Sequence, residues 1–357
     1  MIKAFKYRIY PNEEQCEYFA KTFGCTRFVY NQMLNDKIEH YKITGQTLKN
    51  TPAQYKEAYP WLKEVDSLAL ANAQMNLEKA YRNFFRDKNV GFPKFKSKKS
   101  NHRSYTTNNQ KDTVFIEKGY IKLPKLKSMV RMKQHRLFEG LIKSCTISQT
   151  PSGKYFVSVL VECDIEKLPR LETKVGIDVG IKTFAVMSDQ SVIENPKHLR
   201  KSEKRLAKLQ RDLSRKEKGS RNRAKARIKV AILHEKITNQ RLDFLHKISS
   251  KIISDNQAIV LEDLKVKNMV QNRRLSKSIS EVSWGMFRNM IEYKADWYGR
   301  EVIIAPSNYA SSQLCSGCGS QSSQTKDLSC RTYVCPVCGL EIDRDYNASL
   351  NLLKLAV

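Results

Sequence analysis

The stretch Val175-Gly-Ile-Asp-Val-Gly180 sets a single carboxylate, Asp178, inside a short aliphatic run. Such a run reads as a strand of a sheet covered on both faces. A carboxylate withdrawn from water is costly unless a cation or a hydrogen-bond donor meets it. The strand therefore asks what meets Asp178, and the flanking sequence supplies candidates.

After this strand come a second at Thr183–Met187 and a short edge strand at Val192-Ile193. A charged helical region follows from Pro196 to about Asp255. Leu206, Leu209 and Leu213 form one apolar stripe, and Leu242, Leu245, Ile248 and Ile252 form another. Gly219-Ser220 divides the region into a helical hairpin. Then come strand Ala258–Leu261, a helix over Trp284–Tyr298, strand Val302–Ala305 and a final helix from Asp345. The order β-β-β-α-β-α-β-α is that of an RNase H-like fold. In such a sheet the first and fourth strands are neighbours, and the last helix packs across their ends. Asp178, Glu262 at the end of the fourth strand and Asp345 at the start of the last helix are then expected to converge.

Hard oxygen ligands of this kind suit Mg²⁺ or Mn²⁺. Two such ions about 3.5–4 Å apart can activate an attacking water and stabilise the leaving oxygen of a phosphodiester. Taken singly the residues have plainer readings. Asp345 could be a helix N-cap, and Glu262-Asp263 could be a solvated strand end. Asp343, Asp263 and Asn347 are supporting candidates around the three.

Of the nine cysteines, four form the pairs Cys315-Ser-Gly-Cys318 and Cys335-Pro-Val-Cys338, separated by residues 319–334. This is four-cysteine zinc-ribbon spacing. Gly319 and Gly339 follow the second cysteine of each pair, where a knuckle needs a flexible backbone. Four thiolates close the coordination shell, so one structural Zn²⁺ is expected. Cys330 lies inside the ribbon at the wrong spacing for a ligand. Cys16, Cys25, Cys145 and Cys163 fall in apolar stretches and read as small buried hydrophobes.

Near the N-terminus, Phe5, Tyr7 and Ile9 alternate with basic residues in a strand ending at Pro11. Asn12 and Gln15 form a capping-box pattern that opens a helical segment reaching about Tyr41. A second helix spans Ser67–Arg86, with Leu70, Ala73, Leu77, Ala80 and Phe84 on one face. From about Thr113 the period changes to two. Hairpins turn at Lys118-Gly119 and at Pro151-Ser-Gly153. These strands suggest a small β-barrel, which the first strand could join with the helical block inserted between.

The 357 residues carry 64 Lys and Arg against 36 Asp and Glu, a net charge of +28. So strong a positive field points to a polyanionic partner, nucleic acid first. No apolar run approaches the roughly 20 residues that span a bilayer. The charged start Met1–Arg8 does not read as a signal peptide, so no membrane partner and a cytoplasmic location are expected. Residues 197–229 hold 15 Lys and Arg against three acids. That balance is too lopsided for an ordinary solvated helix face and suits a phosphate-tracking groove. A second basic stretch, 91–133, interleaves Phe92, Phe95 and Tyr105. These rings could stack on unpaired bases or lie in the barrel core. No phosphate-cradling Gly-x-x-x-x-Gly-Lys motif and no paired-histidine cluster occurs.

Gly176-Ile-Asp-Val-Gly-Ile-Lys182, Val260-Leu-Glu-Asp-Leu264, the paired cysteines and Asp343-Arg-Asp-Tyr-Asn-Ala348 together resemble the TnpB proteins of bacterial insertion sequences, relatives of type V CRISPR effectors. Tyr7-Arg-Ile-Tyr-Pro11 and Gly91-Phe-Pro-Lys-Phe95 extend the resemblance over essentially the whole chain. It implies an RNA-guided DNA endonuclease. A RuvC-like nuclease domain (171–311 and 343–357) would carry the triad Asp178, Glu262 and Asp345, interrupted by the zinc ribbon (312–342). A wedge β-barrel (1–11 and 110–170) would hold an inserted helical recognition domain (12–109).

The implied partners are a guide RNA from the transposon end and double-stranded target DNA with a short flanking motif, bound by a monomeric ribonucleoprotein. Asn72, Gln74 and Lys79 are the motif-reading candidates. Lys94, Lys96, Arg205, Arg211, Arg221 and Arg223 are further nucleic-acid contacts. The competing readings are an RNA-guided repressor without cleavage, against which the intact triad argues, and an accessory transposition protein.

Overall fold

The computed structural model describes residues 1–99, 103–323, 325 and 329–356. His102 of the basic stretch, and residues 324 and 326–328 of the ribbon interval, lie outside the described residues. The chain forms two units, Met1–Asp164 and Ile165–Val357.

In the first unit, β1 (Ile2–Tyr10) turns Tyr7 and Ile9 inward. The capping box then opens α1 (Glu13–Thr44). Asn12 Oδ1 accepts from Gln15 N at 2.9 Å, and Gln15 Oε1 accepts from Asn12 N at 3.0 Å. Gly45 ends α1 in the left-handed conformation that glycine adopts at little cost. The short α2 (Tyr55–Ala58) and two 3₁₀ turns lead to α3 (Ser67–Arg86), capped by Asp66. Val29, Met33 and Leu34 of α1 pack against Leu70, Ala73 and Leu77 of α3.

Six further strands follow: β2 (Arg103–Asn108), β3 (Phe115–Glu117), β4 (Tyr120–Lys122), β5 (Val130–Lys133), β6 (Leu141–Gln149) and β7 (Tyr155–Glu162). With β1 they form one antiparallel sheet in the order β2-β6-β7-β1-β5-β4-β3. The first strand does join the later ones, pairing Tyr7 with Val157 and Ile9 with Met132. The sheet curls around a single core that includes Tyr7, Ile121, Val130, Ile147 and Val159, which Phe19 of α1 enters. At the β3–β4 turn, Lys118 and Gly119 both take positive φ (46° and 78°), as a two-residue hairpin requires.

The sheet resumes earlier than the sequence pattern suggests. β2 is Arg-Ser-Tyr-Thr-Thr-Asn, too polar to stand out, yet it pairs along β6 and buries Tyr105 and Thr107. Residues 103–108 thus belong to the sheet rather than to the helical block. This also separates the three rings. Tyr105 is core at 5% exposure, whereas Phe92 and Phe95 stand 43% and 55% exposed.

The second unit contains β8 (Lys174–Val179), β9 (Thr183–Met187), β10 (Val192–Glu194), α4 (His198–Ser214), α5 (Arg221–Asp255) and β11 (Ala258–Leu261). It continues with α6 (Val266–Met269), α7 (Ser276–Val282), α8 (Trp284–Tyr298), β12 (Glu301–Ile304), β13 (Thr332–Val334), β14 (Glu341–Asp343) and α9 (Arg344–Leu353). The sheet order is β10-β9-β8-β11-β12, with β11 parallel to both β8 and β12. First and fourth strands are therefore neighbours, as expected. Every residue of β11 is buried, as helices on both faces demand. Ile259 and Leu261 join Val175 and Ile177 in the core made with α5 and α8. Ala258 and Val260 face the other way, toward Leu352 of α9. Among the described residues no helix is long and apolar enough to cross a membrane.

Candidate active site and metal centre

Strand alternation determines what Asp178 faces. Val175 and Ile177 enter the α5/α8 core, so Gly176 and Asp178 project to the α9 side. Gly176 lets α9 lie directly on the strand. A Cβ there would come within 2.2 Å of Ser349 O and 2.5 Å of Leu353 N. The helix so seated brings its first turn, with Asp345, beside Asp178. Glu262 follows immediately after β11, the parallel neighbour of β8. The three carboxylates line one cleft of about 510 Å³, which Lys182, Lys197, Arg200, Arg331 and Arg344 also line.

Asp178 is only half-buried, because β8 leaves the core at this residue. Its carboxyl is nevertheless pushed well above the usual range, first by burial and then by the charges of Glu262 and Asp345. Burial also lifts Glu262, against the pull of the Ser311 hydroxyl and the Arg344 guanidinium. A divalent cation bound among these carboxyls would favour their ionised forms. Arg331 Nη1 meets Asp345 Oδ2 at 3.3 Å. Asp345 is not the helix cap: that role belongs to Asp343, whose Oδ1 accepts from Asp345 N and Tyr346 N at 3.0 and 2.9 Å. The cap thus leaves the Asp345 carboxylate to the cleft.

Several residues that hold the site carry no sequence signal. Ser311 donates to Glu262 Oε1. Asn351 of α9 donates to the carbonyls of Ser311 and Leu314 at 2.9 and 2.7 Å, tying the segment after β12 to the helix that bears Asp345. Of the supporting candidates, Asp263 turns away to Arg288 at 2.7 Å. Asn347 is fully buried and clamps the first knuckle, accepting from Ser316 N at 2.9 Å and donating to Leu314 O at 2.7 Å.

Cys315, Cys318, Cys335 and Cys338 bring their four sulfurs within 4.8 Å of one another. Among the described residues no other three metal-ligating side chains gather so tightly; the carboxylates of the cleft are spaced more widely. The two knuckles repeat one geometry. Gly319 N donates to Cys315 O and Gly339 N to Cys335 O, with both glycines left-handed at φ 78° and 73°. The Cys338 backbone N–H and the Ser320 hydroxyl lower the Cys335 thiol and favour its thiolate, the form that binds metal. The set fits one tetrahedral Zn²⁺. Cys330 lies outside the quartet, its Sγ 3.2 Å from Thr332 O.

The nucleic-acid candidates divide by environment. In the first unit, Asn72 and Gln74 are half-buried on α3 and bond within the unit, to Leu68 O and Glu78. Lys79 and Lys94 are exposed. Lys96 is tethered to α1 through Asn31, with Nζ 4.0 Å from the centre of the Tyr30 ring. In the second unit, Arg205, Arg211 and Arg221 are exposed on the α4–α5 hairpin. Arg223 instead closes that hairpin, donating to Leu213 O and Lys216 O at 3.0 and 2.7 Å.

Known families match along the chain. Residues 156–273 match the family described as "Probable transposase", and 284–352 match "Cas12f1-like, TNB domain", an interval that holds the four cysteines and Asp345. Residues 1–46, here β1 and the unbroken α1, match a family described as "Helix-turn-helix domain". A Streptomyces pristinaespiralis protein named "Putative RNA-guided DNA endonuclease" is 39% identical over 98% of this chain and 88% of its own length. The Escherichia coli K12 "Putative RNA-guided DNA endonuclease InsQ" is 33% identical over 99% and 92%. The solved Cas12f1 of a Cas12f1-sgRNA-target DNA complex shares the fold, with a TM-score of 0.62 over 96% of this chain and 83% of that one at 16% identity. By its residues, its fold and these relatives, the chain belongs to the TnpB family.

Proposed function

We propose that this chain is an RNA-guided DNA endonuclease. It acts as a monomeric ribonucleoprotein that pairs its RNA with one target strand and hydrolyses DNA beside a short flanking motif. The observation that carries the reading is the meeting of Asp178, Glu262 and Asp345 in one cleft rimmed by basic side chains. The full-length similarity to proteins named as such endonucleases supports it.

The three carboxylates would hold two Mg²⁺ or Mn²⁺ ions, and the ribbon thiolates one structural Zn²⁺. Bound there, the divalent ions would supply Lewis-acid chemistry, making the attacking water more acidic and stabilising the leaving oxygen. The chain's own groups do the remaining work. Ser311 fixes one oxygen of Glu262, and Asp343 fixes the turn that presents Asp345. Lys182, Lys197, Arg200 and Arg344 offer charge to the phosphodiester entering the cleft. Arg331, paired with Asp345, is placed to exchange that carboxylate for a substrate phosphate.

The test is to purify the chain, sequence the RNA that accompanies it, and offer the complex Mg²⁺ with matched plasmids carrying randomised flanks. Cutting should select one flank. Asp178→Ala, Glu262→Ala and Asp345→Ala should each abolish cutting while RNA and target remain bound. A preparation without RNA that never cuts, or cutting retained in all three variants, contradicts the proposal.

A further inference from the structure

An aromatic groove in the first unit has no part in the cleavage chemistry. It has a volume of about 650 Å³ and lies between the C-terminal half of α1, the end of α3 and the loop after α3. Tyr41, Tyr81, Phe85 and Phe92 are its main rings. Phe85 is 78% exposed and Tyr41 61%. Rings left this open, at one spot, mark a surface that something covers.

The ring geometry narrows the occupant. Phe85 lies nearly parallel to Tyr81, with an interplanar angle of 18° and centroids 6.3 Å apart. Phe92 stands edge-on to Tyr81, at 5.5 Å and 88°. Phe92 and Tyr81 thus brace each other at a right angle, while Phe85 presents most of its surface to solvent. A flat aromatic ligand stacks on such a platform.

The rim favours an anionic ligand. Lys37, Lys42 and Arg82 line the groove beside Glu78, on a chain of net charge +28. Lys42 pairs with Glu39 at 2.9 Å and Lys37 Nζ donates to Leu48 O, so Arg82 is the cation best placed for a phosphate. A planar ring joined to a phosphate is a nucleotide. Glu78 distinguishes the sugar: a carboxylate repels phosphate but accepts from a ribose hydroxyl, which deoxyribose lacks at the 2′ position.

We propose that the groove of Tyr41, Tyr81, Phe85 and Phe92 is a stacking site for unpaired nucleotides of single-stranded RNA, the strand's phosphates lying toward Arg82. The inference rests on the proposed function only in that the chain handles RNA. Base–ring stacking contributes roughly 1–3 kcal/mol per base and tolerates any sequence, so the groove would hold a strand in place without reading it.

The test uses the full chain and two photoprobes of equal length, an oligoribonucleotide with 5-iodouridine and an oligodeoxyribonucleotide with 5-iododeoxyuridine. The RNA probe should crosslink to Phe85 or Phe92 and the DNA probe several-fold less. Phe85→Ala with Phe92→Ala should weaken RNA-probe binding by about tenfold, measured at a temperature where a melt shows the variant folded. Adducts confined to other segments, equal or stronger labelling by DNA, or unaltered affinity in the double variant overturn the proposal. Plasmid cleavage by the native complex is scored separately. A chain that cuts but gives no groove adduct keeps the function and loses the groove, and the reverse result does the opposite.

Discussion

Replacing Gly176 by alanine tests how the site is assembled without touching any carboxylate. The new Cβ would sit 2.2 Å from Ser349 O and 2.5 Å from Leu353 N, where ordinary contact begins near 3.4 Å. Both neighbours are backbone atoms, so no side-chain rotation relieves the clash. Helix α9 must retreat by about 1 Å, a strain of roughly 1–3 kcal/mol for an overpacked site. In a unit of this size each kcal/mol lowers the melting temperature by roughly 2–4 °C. The larger effect falls on Asp345, which rides on the first turn of the displaced helix, since a misplacement of about 1 Å can cost on the order of 100-fold in rate. The assay is the initial rate of matched-plasmid cleavage beside a thermal melt and a measure of bound RNA. Gly285→Ala serves as control, because nothing lies within 4 Å of its added Cβ. Gly176→Ala should keep its RNA, melt modestly lower and cut about 100-fold more slowly. Cutting at the native rate would refute the claim that α9 seated on Gly176 positions Asp345.

Two further outcomes follow from the electrostatics of the two metal sets. Asp178 has a folded pKa above its unfolded value of about 3.9. Its ionisation therefore costs the metal-free chain stability, which is lost as pH climbs from about 4 through the raised value. In EDTA, Asp178→Asn should melt above the native chain at pH 7 and converge with it near pH 4; a gap independent of pH contradicts this origin. Cys335→Ser should abolish zinc stoichiometry and lower the melting temperature of the second unit, whereas Cys330→Ser should change stability by less than about 0.5 kcal/mol. Zinc loss on mutating Cys330 instead would make it a ligand.

The parts legible in the sequence were those governed by neighbours along the chain. The Asn12–Gln15 box, the helices Ser67–Arg86 and Trp284–Tyr298, and the glycine turns at 119 and 153 depend on local backbone chemistry and emerge as expected. So does the strand order that makes β8 and β11 neighbours, because element sequence alone dictates it in this fold class. Features set by distant partners stayed hidden. β2 is a strand because β6 offers it a ladder, not because Ser, Thr and Asn favour one. Ser311 and Asn351 matter only once α9 lies against the segment after β12. By sequence Asp345 could equally have been the helix N-cap; the helix start gives that role to Asp343. Arg331 reaches Asp345 through the ribbon fold, which spacing alone does not describe.

The most direct measurement is a structure of the chain with Mn²⁺, with the metal located by anomalous scattering at the manganese edge. Anomalous density should appear bounded by carboxylate oxygens of Asp178, Glu262 and Asp345, and should be lost in Asp178→Asn. Manganese absent from that cleft at concentrations that support cutting, or bound only elsewhere, would contradict the metal assignment.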